Sequence, residues 1–232
     1  MEISGTFYGS KAEYDTFDVR GKFPGKNSAK AIVLRDYLGL VGHWAEESGL
    51  RLGGGLPSAF YAKTLTFNGA GLIADDAVDK FFAFIDQAEK GTLLWFAIFD
   101  LAGGAINDVA QDATAYCHRD ALFYLQTYAI GLGEVSQTTK DFLTGINKTL
   151  KAACDPLRLG AYPGYVDPFL ANPQKEYWRT NLPRLEQIKK QVDPLDIFHN
   201  PQSVRPAGMK ATPRGVPTKI ADKVKSLLKK RH

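Results

Sequence analysis

The residues best placed to do chemistry lie in Gly160-Ala161-Tyr162-Pro163-Gly164-Tyr165-Val166-Asp167-Pro168, where two phenols three positions apart flank a Pro-Gly pair. On a plain strand such side chains point to opposite faces, but Pro-Gly can bend the backbone and bring both phenols into one space. The product would be a polar site with aromatic walls. Two apolar stretches upstream offer further groups. If Thr92 to Leu101 is a strand, Phe96, Ile98 and Asp100 share one of its faces; if Ala121 to Ile130 is another, so do Tyr124, Gln126 and Tyr128. A glutamine between aromatics suits a sugar site, where amides bond hydroxyls and rings stack on pyranose faces. By spacing alone Gln126 suits a solvated sheet face equally well, and Asp100 suits the end of a strand before Gly103-Gly104. His43, His118 and His199 lack metal-ligand spacing and read as structural histidines, so no metal site is expected. Neither a Gly-x-Ser-x-Gly nor a Cys/His nucleophile pattern occurs.

The elements that must position these groups are uneven in clarity. Ile3 to Tyr8 and Ala31 to Leu34 read as strands, Lys11 to about Val19 as a short helical segment, and Phe23 to Asn27 as turn chemistry. Between Tyr37 and Glu47, Leu38, Val41, Trp44 and Ala45 recur at helical spacing. The glycine triplet Gly53-Gly54-Gly55 lacks the Gly-Lys-Ser/Thr ending of a phosphate loop and precedes Pro57, so it reads as a loop. Ala77 to Lys90 is the clearest helix, with Asp75-Asp76 at its positive end, Val78, Phe81, Phe82 and Ile85 on one face, and Gly91 at its end. A further helix is expected from Thr138 to about Ala153. Irregular alternation of strands and helices, with no dinucleotide fingerprint, predicts an α+β fold: an antiparallel sheet with helices packed on one face.

The composition is that of an ordinary globular chain: 232 residues, 44% hydrophobic, 23% charged and a net charge of +4. Six basic side chains among the last fourteen residues, against Asp222 alone, account for that excess. Residues 206–232 read as a Pro/Gly linker followed by a basic amphipathic helix carrying Ile220, Val224, Leu227 and Leu228; a solvated tail is the plainer reading. Steep salt dependence would be needed to support nucleic-acid binding there, and the aromatic residues lie elsewhere, so no nucleic-acid partner is expected. No run approaches ~18 apolar residues, so no membrane span is expected, and Met1 to Gly5 do not begin a signal peptide. Cys117 and Cys154 read as a buried free pair ahead of a bridge. Asn147-Lys148-Thr149 is a glycosylation acceptor pattern, relevant only in a secreted chain.

Tyr177-Trp178-Arg179-Thr180-Asn181-Leu182-Pro183-Arg184-Leu185, then Ile188-Lys189, Asp193-Pro194, Phe198 and Pro201-Gln202-Ser203, occur in a spacing that resembles the C-terminal berberine-bridge segment of FAD-linked oxidases. With the Tyr-Val-Asp-Pro run before it, the chain is most similar to the fungal oligosaccharide oxidases. The resemblance implies residues 1–170 as a substrate-binding sheet domain and 171–205 as a berberine-bridge-like segment packing back towards a flavin domain. It implies Tyr165 as the catalytic base, assisted by Asp100, and Tyr162, Gln126, Tyr61 and Tyr124 as substrate-binding residues. Asn181 is implied beside the flavin, with capping of the following helix as the equal alternative, and Glu2 as an acidic substrate contact. Ile98 stands where some members carry a glutamine.

The implied activity is oxidation of an oligosaccharide C1 hydroxyl to a lactone with release of hydrogen peroxide. FAD would come from a domain absent in this chain, so the isolated chain is expected to be inactive. The resemblance also implies a secreted protein. The alternative is a non-catalytic carbohydrate-binding or protein-interaction module.

Overall fold

The protein is described from a computed structural model at residues 3, 5–18, 21–22, 31–34, 36–51, 58–69, 73–131 and 133–209. Glu2, the Phe23 to Asn27 turn, the glycine triplet and the basic tail lie outside those residues. The chain divides into two compact units, Met1–Pro57 and Ser58–His232.

The first unit contains helices α1 (Lys11–Asp15) and α2 (Tyr37–Arg51). Ser10 and Glu13 form a reciprocal capping box that fixes the start of α1. The strands expected at Ile3 to Tyr8 and Ala31 to Leu34 are absent from the described residues there. An alternating apolar segment becomes a strand only where a neighbouring strand satisfies its backbone. Here Tyr8 and Val33 are instead exposed.

In the second unit the elements run β1 (Ala59–Asn68), α3 (Asp75–Gln87), β2 (Trp95–Leu101), β3 (Ala121–Gly131), α4 (Gln137–Ala152), β4 (Leu159–Gly160), α5 (Pro173–Trp178) and α6 (Leu182–Val192). The strands form one antiparallel sheet in the order β2-β3-β1-β4. β1, which the sequence reading did not single out as a strand, is an interior strand with every residue from Tyr61 to Asn68 buried. Its odd positions Tyr61, Leu65 and Phe67 join Leu125 and Ala129 of β3 under Phe81 of α3 and Phe142, Leu143, Ile146 and Leu150 of α4. Those α4 residues recur at helical spacing and form the apolar stripe that packs onto the sheet. Both large helices thus cover one face and leave the other to the site.

Asn147 of the acceptor pattern lies inside this packing, only 3% exposed. Its amide donates to the Thr64 carbonyl (3.3 Å) and accepts from Thr127 Oγ1 (3.2 Å). A glycan has no access to it in the folded protein. Cys117 is buried, Cys154 is partly so, and both are free. No helix among the described residues is long and apolar enough to cross a membrane.

After β4 the chain continues beside β1 and is fixed by a buried ion pair, Lys63 Nζ to Asp167 Oδ2 at 2.8 Å. The Asp167 backbone N–H donates to the Tyr177 hydroxyl (3.1 Å), that hydroxyl donates to Gln202 Oε1 (3.2 Å), and Gln202 Nε2 donates back to the Asp167 carbonyl (2.7 Å). One aspartate therefore ties β1, the tyrosine loop, α5 and the C-terminal segment together. Asp167→Ala leaves the Lys63 ammonium buried without its partner and is expected to cost about 3–5 kcal/mol; urea unfolding of variant and parent measures it, and a loss under ~1 kcal/mol would show the pair to be dispensable.

Candidate functional site

The sheet face opposite the two large helices carries Asp100 of β2 opposite Tyr124 of β3, and Ile98 opposite Gln126. The loop after β4 passes over this face. Tyr162 N–H donates to Thr64 Oγ1 of β1 (3.2 Å), and Tyr165 N–H donates to the Tyr162 carbonyl (3.0 Å), closing a turn around Pro163-Gly164. Glycine at 164 leaves room for the phenol: a Cβ there would sit 2.5 Å from the Tyr162 ring and force it to shift. The turn sets the two phenol rings edge to face at 5.2 Å. Tyr165 then reaches β2, and its hydroxyl donates to Asp100 Oδ2 at 2.7 Å.

This bond has a definite electrostatic meaning. Burial is the first cause that pushes the Tyr165 phenol well above its ordinary range; the bond to the Asp100 carboxylate, that carboxylate's charge and Tyr162 push the same way. At neutral pH Tyr165 is therefore a neutral phenol with its proton directed at a carboxylate. It can take a proton from a bound hydroxyl only by passing its own to Asp100.

The remaining predicted residues divide. Tyr124 packs its ring 5.0 Å from Tyr162, but its hydroxyl is engaged by Tyr116, so it supports the site through its ring. Gln126 is on the same face, half-buried, and its side-chain amide has no hydrogen-bond partner among the described residues. Tyr61 is not brought together with them. It lies on the helix-packed face, 8% exposed, with its hydroxyl 3.4 Å from Thr144 Oγ1 and its ring 5.3 Å from Phe169, because an odd position on β1 points away from Thr64. Asn181 neither opens towards a cofactor nor caps α6. Its amide nitrogen donates to the carbonyls of Gln111 (2.8 Å) and Thr114 (3.1 Å), pinning the loop between β2 and β3.

Sequence reasoning missed Tyr116, which sits in that loop outside any periodic pattern. Its hydroxyl donates to the His118 carbonyl (3.0 Å), and the Arg119 guanidinium lies over its ring at 4.7 Å. His118 is fully buried, with Nε2 3.1 Å from the Tyr177 carbonyl and Nδ1 3.5 Å from Thr66 Oγ1, which fits the neutral ring protonated at Nε2. A cavity of about 320 Å³ lined by Phe67, Asn68, Cys154, Asp155 and Arg158 shares no residue with the tyrosine site. No metal-binding group of three or more ligands occurs among the described residues.

The comparisons with known proteins agree with this architecture. The sequence profile of the family "Berberine and berberine like" matches residues 161–205. The chain is 34% identical over 210 residues to the FAD-linked oxidoreductase sorD of Penicillium rubens, covering 89% of this chain and 44% of that protein. It is 29% identical over 223 residues to the glucooligosaccharide oxidase of Sarocladium strictum, with the same two coverages. Among solved structures, the xylooligosaccharide oxidase from Myceliophthora thermophila C1 in complex with xylobiose matches with a TM-score of 0.58 at 32% identity, over 66% of this chain and 33% of that one. An antiparallel sheet backed by helices, closed by a berberine-like segment, is the substrate-domain architecture of FAD-linked oxidases. This chain matches part of the FAD-linked oxidases and is similar to the fungal oligosaccharide oxidases among them, and it spans less than half the length of the curated relatives it matches.

Two titrations check the electrostatics. Asp100→Asn removes the charge and the strong acceptor, so the Tyr165 phenol is expected to ionise at lower pH, though still above ~10 because burial persists; ultraviolet difference spectra with and without Tyr165→Phe assign the transition. Burial lowers the His118 pKa from 6.5 to about 4. Between those values the unfolded chain binds a proton that the folded chain excludes, so stability falls as pH drops through that window, by roughly 3 kcal/mol in all. Denaturant unfolding across pH 4 to 6.5 should show this slope, and His118→Gln should flatten it.

Proposed function

We propose that this chain is the substrate domain of an FAD-dependent carbohydrate oxidase that oxidises the C1 hydroxyl of an oligosaccharide to a lactone with release of hydrogen peroxide. The observation that carries the reading is the Tyr165 hydroxyl donating to Asp100 at 2.7 Å on an aromatic-walled sheet face. Removing two electrons from an alcohol requires loss of the hydroxyl proton and of a hydride from the same carbon. The chain's residues serve the first half: Tyr165 accepts the hydroxyl proton as its own passes to Asp100. Because that phenol is held neutral, the transfer must accompany departure of the hydride, when the alcohol oxygen becomes most acidic. Tyr162 and Gln126 would hold the ring against them, by stacking and by the amide.

The described residues do not fit the dinucleotide itself. α3 opens with Asp75 and Asp76, which repel a pyrophosphate, and the N-terminus of α4 is already capped by Ser136. FAD, held by residues outside this chain, would take the hydride. Support for such a partner comes from α6 and the turn after it, where Val192, Leu195, Ile197 and Phe198 are 60–81% exposed side by side in sequence. Secretion is part of the same proposal, by likeness to the oligosaccharide oxidases.

Expression from the complete natural locus, with a visible spectrum, intact mass and peroxide assays on cello-, xylo- and chito-oligosaccharides, tests the reading. A flavin spectrum and sugar-dependent peroxide that falls ~10²–10⁴-fold in Tyr165→Phe are expected. A colourless product that still retains a sugar would contradict catalysis and leave a binding module.

A further inference from the structure

We infer that the substrate of the Tyr165 site carries a flat apolar group beyond its reacting ring, so that an aryl-substituted sugar is preferred over an unsubstituted oligosaccharide. The inference rests on the proposed oxidase reading and concerns the surface that continues from it. Moving along β2 from Asp100, each second residue lies about 7 Å further on the same face. The first such position is Ile98, opposite Gln126, and the next is Phe96, opposite Tyr128. Phe96 stacks on Tyr128 at 4.8 Å, and Phe60 of β1 lies against the other side of Tyr128 at 5.1 Å. Ala62, Tyr128 and Ile130 form a buried cluster with Phe96 and Ile98 packed against it.

Polar groups are scarce along this path. Thr64 Oγ1 already accepts from the Tyr162 N–H, and Thr66 Oγ1 accepts from Asn68 Nδ2. Gln126 remains available next to the reacting ring, but the strip beyond it offers isoleucine, alanine and phenylalanine side chains with the Tyr128 hydroxyl. A second hexose laid there would bring several hydroxyls against groups that cannot bond them, and each unmade bond on burial is unfavourable. A planar apolar substituent would instead meet rings and a branched aliphatic side chain, with its area removed from water. The proposed reaction is unaltered: Tyr165 would take the C1 hydroxyl proton, and FAD, when bound, would supply the hydride acceptor. Ile98, Phe96 and Phe60 select the group attached to the far side of the sugar.

Two compounds with the same free C1 hydroxyl separate the possibilities: 4-O-benzyl-D-glucose and cellobiose. The comparison uses the protein from its complete locus, with kcat/KM from peroxide release and Kd from calorimetry. The proposal predicts at least a 10-fold preference for the benzyl compound. Ile98→Gln should narrow that preference at least threefold, by improving cellobiose, and Phe96→Ala should lower the benzyl compound alone. Equal or better use of cellobiose overturns the proposal while leaving Tyr165 and Asp100 in their roles. A preference that neither substitution changes overturns it too. If the flavin is present and neither sugar is bound or oxidised, the carbohydrate-oxidase reading fails first, and this inference with it.

Discussion

The buried Lys63–Asp167 ion pair is the contact on which the arrangement of this site depends. Asp167 is two residues beyond Tyr165, so anchoring its carboxylate on β1 limits how far the phenol can stray from β2. The other groups of Asp167 are engaged as well. Asp167 Oδ1 also accepts from the Phe169 N–H (2.9 Å), and the aspartate's backbone is held by Tyr177 and Gln202. The berberine-like segment thus both carries the site tyrosines and braces them: the tyrosine turn lies at one end of the matched region and Gln202 near the other. A second ionic knot farther along, Lys189 with Asp193 and Asp196 and Arg205 with Asp196, closes the end of that segment.

The site depends on proton placement more than on any single reactive group. A phenol raised by burial and by a facing carboxylate is a poor free base, yet it is well prepared to conduct a proton in one direction. The surrounding tyrosines keep it there. Tyr162 packs edge-on against Tyr165, Tyr124 packs on Tyr162, and Tyr116 holds the Tyr124 hydroxyl. Tyr116 is in turn fixed by its bond to the His118 carbonyl and by Arg119, whose guanidinium also donates to the Ile106 carbonyl and Thr114 Oγ1. Each ring removes freedom from the next, which is how this sheet face acquires a defined geometry.

Much of this was legible in the sequence, for identifiable reasons. β2, β3, α3 and α4 have strong periodicity, so Asp100 falls with Phe96 and Ile98 on one face of its strand and Tyr124 with Gln126 and Tyr128 on one face of theirs; that the two faces coincide follows only from the pairing of β2 with β3. The Pro-Gly pair announced the turn that joins the two phenols. β1 was not legible because it is buried on both faces: threonines alternate with large apolar residues and a lysine interrupts them, so neither a polar face nor an apolar run stands out. Missing β1 led to the misplacement of Tyr61, since its face follows from the strand's register. The first segments showed the converse, strand-like patterns without strands, because pattern does not supply a pairing partner. Asn181 and Tyr116 act through backbone carbonyls of a loop, and no spacing rule reports such contacts. Asn147 matched a surface motif whose three letters carry no information about burial.

In the proposed reaction Tyr165 passes its proton to Asp100 in the same step in which the substrate loses hydride. The most direct test is a single-turnover oxidation of a C1-deuterated sugar in light and heavy water, on the protein from its complete locus. The relay predicts that deuterium at C1 and deuterium in solvent each slow that step, and that the solvent effect persists with the deuterated sugar. A full C1 effect with no solvent effect would mean that the proton has already left before the hydride moves, and that Tyr165 and Asp100 do not work as described.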